Sequence, residues 1–208
     1  MHYPYMKEMR EKFWVQLFII YTRFLLGGGF VFASIIKIKG KRFTTESQED
    51  AEFGTVGHFF ETMYQTGEYW QFLGWAQLIS GFLLMTQKFS KLGAVINLAI
   101  ILNVFVITIS MDFNNTHIIT FFMLLANLGL ILWHWGELRI LFNLPYVPPT
   151  PNLEESKPVW IYTGFTLFLF TAGYRIYTDF YDPIFWFLSC FAIVIVSFLW
   201  RILLSNNK

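Results

Sequence analysis

The sequence predicts an all-α, polytopic membrane protein: a four-helix transmembrane bundle followed by two further transmembrane helices. Three observations carry that prediction. Of 208 residues, 55% are hydrophobic, 21% aromatic and only 14% charged, with a mean hydropathy of +0.48. A soluble domain is about a quarter charged, so lipid is the expected solvent for most of this chain. Six apolar segments recur, each near the roughly 20 residues that cross a bilayer core. Finally, short connections at 87–91, 111–116 and 179–183 force antiparallel neighbours. The net charge of +1 gives no footprint for nucleic acid.

The first segment, 13–36, follows MHYPYMKEMREK, a stretch mixing acids and bases that is read as a cytoplasmic N-terminus of residues 1–12. The apolar run is longer than a signal-peptide core and no small-residue cleavage site follows, so it is expected to stay as an uncleaved helix. Its defining stretch is RFLLGGGFVFASIIK, 23–37. Arg23, Gly27, Phe30, Ser34 and Lys37 recur at helical spacing and share one face. A cation inside lipid costs roughly 3 kcal/mol or more unless it meets a partner or water. The Arg23–Lys37 stripe is therefore expected to face other helices. At a rise of 1.5 Å per residue, Arg23 lies about 15 Å from Phe13, which places it near mid-membrane. Helix-packing glue, an ion path and a ligand site are all open for Arg23. Lys37, at the helix end, fits either an outward snorkelling position or a place in the seam.

Residues 37–69 form an outer loop, charged at first and then aromatic. Val56, Phe59, Phe60, Met63, Tyr64 and Trp70 make one apolar face between 54 and 70, which fits an interfacial helix, a re-entrant helix or an ordinary surface helix. The next segments are 70–87, 92–110 and 117–136. On the first of these, Gly74, Gln77 and Gly81 follow helical spacing, where small residues allow close helix approach and an amide can bond across helices. Asn97 and Asn103 are six apart and lie on different sides of their helix. Thr120, Asn127 and His134 are spaced by seven, with Glu137 near His134. His134 lies between Trp133 and Trp135, as an interfacial histidine would.

A proline-rich connector, 143–158, precedes the C-terminal hairpin of 159–208, with helices at 159–178 and 184–204. Arg175 has Asp179 four residues on. Lysine and arginine near helix ends number nine on the side of the N-terminus (Lys7, Arg10, Lys12, Lys88, Lys91, Arg139, Lys157, Arg201, Lys208). On the opposite side they number four (Lys37, Lys39, Lys41, Arg42). That asymmetry predicts cytoplasmic N- and C-termini.

The chemistry visible in the residues is sparse. Cys190 is the single cysteine, so no intramolecular disulfide or dithiol relay can form. The four histidines lack metal-ligand spacing, and neither metal nor haem is expected. Gly27, Gly28 and Gly29 lack the flanking residues of a phosphate loop. Within a helix each costs about 1 kcal/mol against alanine, which close approach would justify.

The order Arg23, Gly27, Phe30, Lys37, then Gly74, Gln77, Gly81, then Lys91 and Gly93, with FFETMYQTGEYWQFLGWAQLISGFLLMTQKFSKLGA at 59–94 and ITISMDFNNTHIITFFMLLANLGLILW at 107–133, resembles the DoxX family of small bacterial membrane proteins. The resemblance covers 13–142. It implies a four-helix bundle in the bacterial inner membrane, with relatives linked to redox systems and no agreed catalytic residues. The hairpin at 159–204 lies beyond that core.

Three functions follow as expectations. One is a non-catalytic subunit that binds another membrane or periplasmic protein, since no nucleophile–base or metal constellation is visible. The second is a quinone- or lipid-binding redox component in which Arg23, Gln77 and Asn127 face one cavity beside Phe30. The third is a small-solute transporter or channel, disfavoured by sparse polar residues and the absence of an inverted repeat. Asn97, Asn103 and His134 join Arg23, Lys37, Gln77 and Asn127 as candidates for a polar seam. Gly27, Gly28, Gly74, Gly81 and Gly93 are the expected packing positions.

Overall fold

A computed structural model describes residues 4–43, 47–111, 113–148, 154–179 and 182–206. The described residues form helices and no strand: α1 (Pro4–Glu11), α2 (Phe13–Ile38), α3 (Val56–Gln65), α4 (Glu68–Met85), α5 (Ser90–Ser110), α6 (Thr116–Trp133), α7 (Trp135–Leu138), α8 (Pro158–Tyr177) and α9 (Pro183–Asn206). Short 3-10 turns follow at Arg139–Phe142 and Glu154–Ser156. Prolines 149 and 151 of the connector, with the rest of 149–153, fall outside the described residues, as do His2 and Lys208.

Local chemistry sets the helix ends. α2 stops where Gly40 takes φ +63°, with the amide of Gly40 bonded to Lys37 O and that of Lys41 to Ile36 O. That left-handed residue closes a Schellman motif, for which glycine has no steric cost. Thr55 caps α3 by accepting from the His58 amide. α8 and α9 both begin on proline, whose missing N–H is no loss at a first helical position. Asp182 caps α9 by accepting from the Phe185 amide at 3.0 Å.

The architecture is a bundle with α2 at its axis. α4 packs along one side of α2 and α8 along another; α5 stands beside α4, α6 beside α5 and against α2, and α9 outside α8. Glycines set the closest approaches. A Cβ at Gly81 would lie 2.6 Å from Gly27 O, and one at Gly74 would lie 2.9 Å from Ser34 O. One at Gly93 would lie 2.7 Å from Leu84 N. No ordinary side chain fits such gaps, so the helices meet backbone to backbone as small residues permit. Gly28 differs, because it faces the Trp186 ring of α9 at 3.4 Å, an ordinary contact. The tightest approach is Gly164 of α8, where a Cβ would sit 1.8 Å from Met85 O.

Four helices are long and apolar enough to cross a membrane: α2, α5, α6 and residues Pro183–Leu204 of α9. These are properties of a multi-pass membrane protein. In α2, 72% of the apolar window is buried in the protein, against 6% in α9. α4 and α8, the other two long helices, carry Gln77, Thr163, Thr171 and several glycines, and pack closely on α2. Gln77, Thr163 and Thr171 are buried, whereas Gln71 of α4 and Thr166 of α8 are exposed.

α3 lies over the end of the bundle at which α2 stops (labelled the outer end by position along α2 alone, the inner end being where α2 begins). Phe60 packs on Phe113 of the α5–α6 turn and stacks on Phe43, and of α3 only Glu61 is buried. It does not thread between the long helices.

Candidate functional site

Arg23 projects from α2 into the protein and is 1% exposed. Its Nη1 donates to Gln87 Oε1 at 2.7 Å, its Nη2 to His134 Nε2 at 2.7 Å, and the same nitrogen pairs with the Glu155 carboxylate. These partners come from the α4–α5 turn, the end of α6 and the 3-10 turn before α8. They place Arg23 at the level of the inner ends of four neighbouring helices, about ten residues into α2, and not midway along the bundle. A guanidinium presents five N–H groups in a planar fork, which suits three acceptors arriving from three directions.

The contact also assigns the His134 tautomer. Arginine donates and cannot accept, so Nε2 holds a lone pair and the neutral ring carries its proton on Nδ1, 3.7 Å from Glu137 Oε1. Glu137 in turn pairs with Lys91. With its lone pair committed to Arg23, the imidazole here acts as a positioning group.

The same end of the bundle is fastened by further polar contacts. Arg10 of α1 donates to Trp133 O and stacks over the Trp133 ring. Gln16 donates to Arg10 O at 2.7 Å and accepts from the Glu154 amide. Glu154 receives Arg201 Nε of α9 at 2.7 Å and Lys157 Nζ at 2.6 Å. Burial alone would raise the Glu154 pKa; Arg201 and Lys157 outweigh it and hold the carboxyl below its usual range.

A second, neutral seam crosses the bundle middle. Ser80 of α4 donates to Asn97 Oδ1, Asn97 Nδ2 to Asn127 Oδ1, and Asn127 Nδ2 to Ala94 O, each at 3.0 Å. Further out, the hydroxyls of Thr108 and Thr120 meet at 2.8 Å. Asn103 is not in this seam. It lies six residues from Asn97, on the exposed face of α5 between Leu102 and Val106.

Arg23, Gln77 and Asn127 do not converge on one cavity, contrary to the expectation for a shared head-group site. Arg23 is engaged at the inner end and Asn127 is tied to α5. Gln77 is 9% exposed, and its Oε1 has no hydrogen-bond partner among the described residues. At the outer end, Lys37 is 6% exposed, turned inward, with Nζ donating to Ala33 O at 2.8 Å. Its ammonium faces the rings of Phe43 at 4.8 Å and Trp70 at 5.3 Å.

No protein-family model, curated protein or solved structure matches this chain. The site therefore rests on its geometry. Among the described residues no group of three or more histidine, cysteine, aspartate or glutamate side chains is placed to hold a metal ion.

Ion pairs tie down the outer loops. Arg42 makes a forked contact with Glu61, reaching 2.8 Å, and a second with Glu49. Those hydrogen bonds hold the Glu61 carboxyl below its ordinary pKa. Asp179, in the α8–α9 turn, pairs with Lys39 at 2.8 Å and with Lys41. Hydrogen bonds from the two ammonium groups lower its pKa from 3.8 to about 2.

A depressed carboxylate contributes stability above its unfolded pKa, and loses it as pH falls through the folded value. Acid titration of the purified protein is thus expected to release the hairpin turn from the α2 loop between about pH 4 and pH 2. Asp179→Asn removes that component. Melting curves at pH 7 and pH 2.5 check this, and a variant with an unchanged pH dependence contradicts it.

Proposed function

We propose that this chain is a six-span protein of the bacterial inner membrane, DoxX-like in α2, α4, α5 and α6, and that it serves as a non-catalytic subunit holding a partner protein. Both termini are cytoplasmic in this reading, following the lysine and arginine asymmetry. Residues of the DoxX-like pattern fall together: Gly27, Gly74 and Gly81 at the α2–α4 contact, with Arg23 and Lys37 at its two ends. α4 and α8 count as spans in this reading on their lengths of 18 and 20 residues, with Gln77, Ser80, Thr163, Thr171 and Arg175 turned into the protein.

The observation that carries the partner reading is the position of α9. It is fixed at both ends, by Trp186 Nε1 donating to Thr171 Oγ1 and by Arg201 on Glu154. Its outward face, including Phe187, Phe191, Val196 and Leu203, stays open over that length. The hairpin is thereby a rigid apolar arm added outside the four-helix core.

A photo-crosslinking residue at Phe191 or Val196, at native expression, is expected to yield a discrete protein adduct. The same residue at Leu102 of α5 is expected to yield lipid adducts only. Lipid alone at every position contradicts the partner reading. A lipid- or quinone-binding role is the second reading, favoured by the buried carboxamide oxygen of Gln77, which has no partner among the described residues.

A further inference from the structure

Lys37 is buried without a counter-ion among the described residues. No carboxylate of a described residue lies at ion-pair distance, and its one hydrogen bond, to Ala33 O, leaves two N–H groups unused. The neighbouring outer-end cations are committed elsewhere: Lys39 and Lys41 to Asp179, Arg42 to Glu61 and Glu49. Arg175 donates to the carbonyls of Phe32, Thr178 and Asp179. Buried charges in proteins are paired, and ring faces supply attraction but not strong hydrogen-bond acceptors.

Gln77 gives an independent indication on the facing helix. Gly74 opposes Lys37, with a Cβ position 2.9 Å from Lys37 Cβ. Gln77 is one turn deeper on α4. Leu78 packs in the cluster with α8, which leaves Gln77 about 100° round the helix from it. The Gln77 carboxamide is buried with its oxygen unpartnered, a rare condition that a ligand or ordered water ordinarily explains. Oxygen and nitrogen of an amide exchange by a flip, so this group can offer N–H donors to an anion.

We propose that Lys37 and Gln77, with the rings of Phe43 and Trp70 beside the ammonium, bind the carboxylate of a molecule with an apolar body. One carboxylate oxygen accepts from the ammonium and the other from the amide, while the rings of Phe43 and Trp70 contact the body. One ammonium and one neutral amide match the single charge and the two oxygens of a carboxylate. A membrane-derived acyl chain and a small soluble aromatic acid share this chemistry. The site is independent of the partner reading.

Calorimetric titration of the full chain in a neutral maltoside detergent tests the site, with laurate and benzoate as probes. At least one acid is expected to bind saturably at one site, and dodecanol is not. Lys37→Met and Gln77→Leu are each expected to weaken that binding about tenfold or more, with Lys88→Gln unchanged. Laurate alone binding identifies the acyl source, and benzoate binding the soluble one. Should Lys37→Met fail to fold, Gln77→Leu carries the comparison. Saturation by neither acid, equal binding of dodecanol, or undiminished binding in the folded variants overturns the proposal.

Discussion

Arg23→Met is expected to destabilise the protein more than any other single polar substitution, by about 3–5 kcal/mol. Removing one partner of a buried ion pair leaves the other charge uncompensated. Here the loss is compounded, because Gln87 Oε1 and His134 Nε2 lose their donor at the same time as Glu155 loses its cation. Arg23→Lys is expected to fall between the two, since one ammonium cannot match a planar fork to three acceptors. Denaturation in mixed micelles, followed by circular dichroism, measures both. Lys88→Gln, at an exposed turn residue, is the reference and should lie within about 0.5 kcal/mol of the parent.

The second large effect is expected at Gly164. A Cβ there would stand 1.8 Å from Met85 O and 2.9 Å from Phe24 Cε1. The closest obstacle is backbone, so relief requires α8 to move away from α2 and α4. Overpacking typically costs about 1–3 kcal/mol and occasionally more; Gly164→Val should reach or exceed the top of that range. Gly173, on the same helix, has nothing within 4 Å of its Cβ position. Gly173→Ala should therefore be neutral or raise stability by up to about 1 kcal/mol through helix propensity. Thermal melts of the two variants separate a contact effect from a general intolerance of α8 to substitution.

Periodicity made the helices legible, together with the face that α2 turns inward. The apolar runs end within a few residues of the observed boundaries because glycine, proline and short polar turns punctuate them. Gly27, Gly74 and Gly81 were legible because small residues at helical spacing have few other uses in lipid. The partners of Arg23 were not. Gln87 and Glu155 sit in connections 64 and 132 residues away, and no local pattern assigns a turn residue to a distant guanidinium. Counting from Phe13 takes helix and bundle to begin together, whereas α2 overruns its neighbours and brings Arg23 to the level of their ends. Asn103 shows the opposite failure: an amide in an apolar helix invites an interior place, yet its angle from Asn97 turns it outward. Gly164 carried no flanking small-residue pattern that would single it out from Gly173.

Arg23 is the fastening that joins α2 to the turn before α8. A double-mutant cycle between Arg23→Met and Glu155→Gln, read as unfolding free energies in the same micelles, tests that most directly. A coupling energy of about 1.5 kcal/mol or more, with the double variant less damaged than the two single losses added together, is the predicted result. Strictly additive losses would mean that the two side chains do not sense each other, and would contradict the arrangement of the whole inner end.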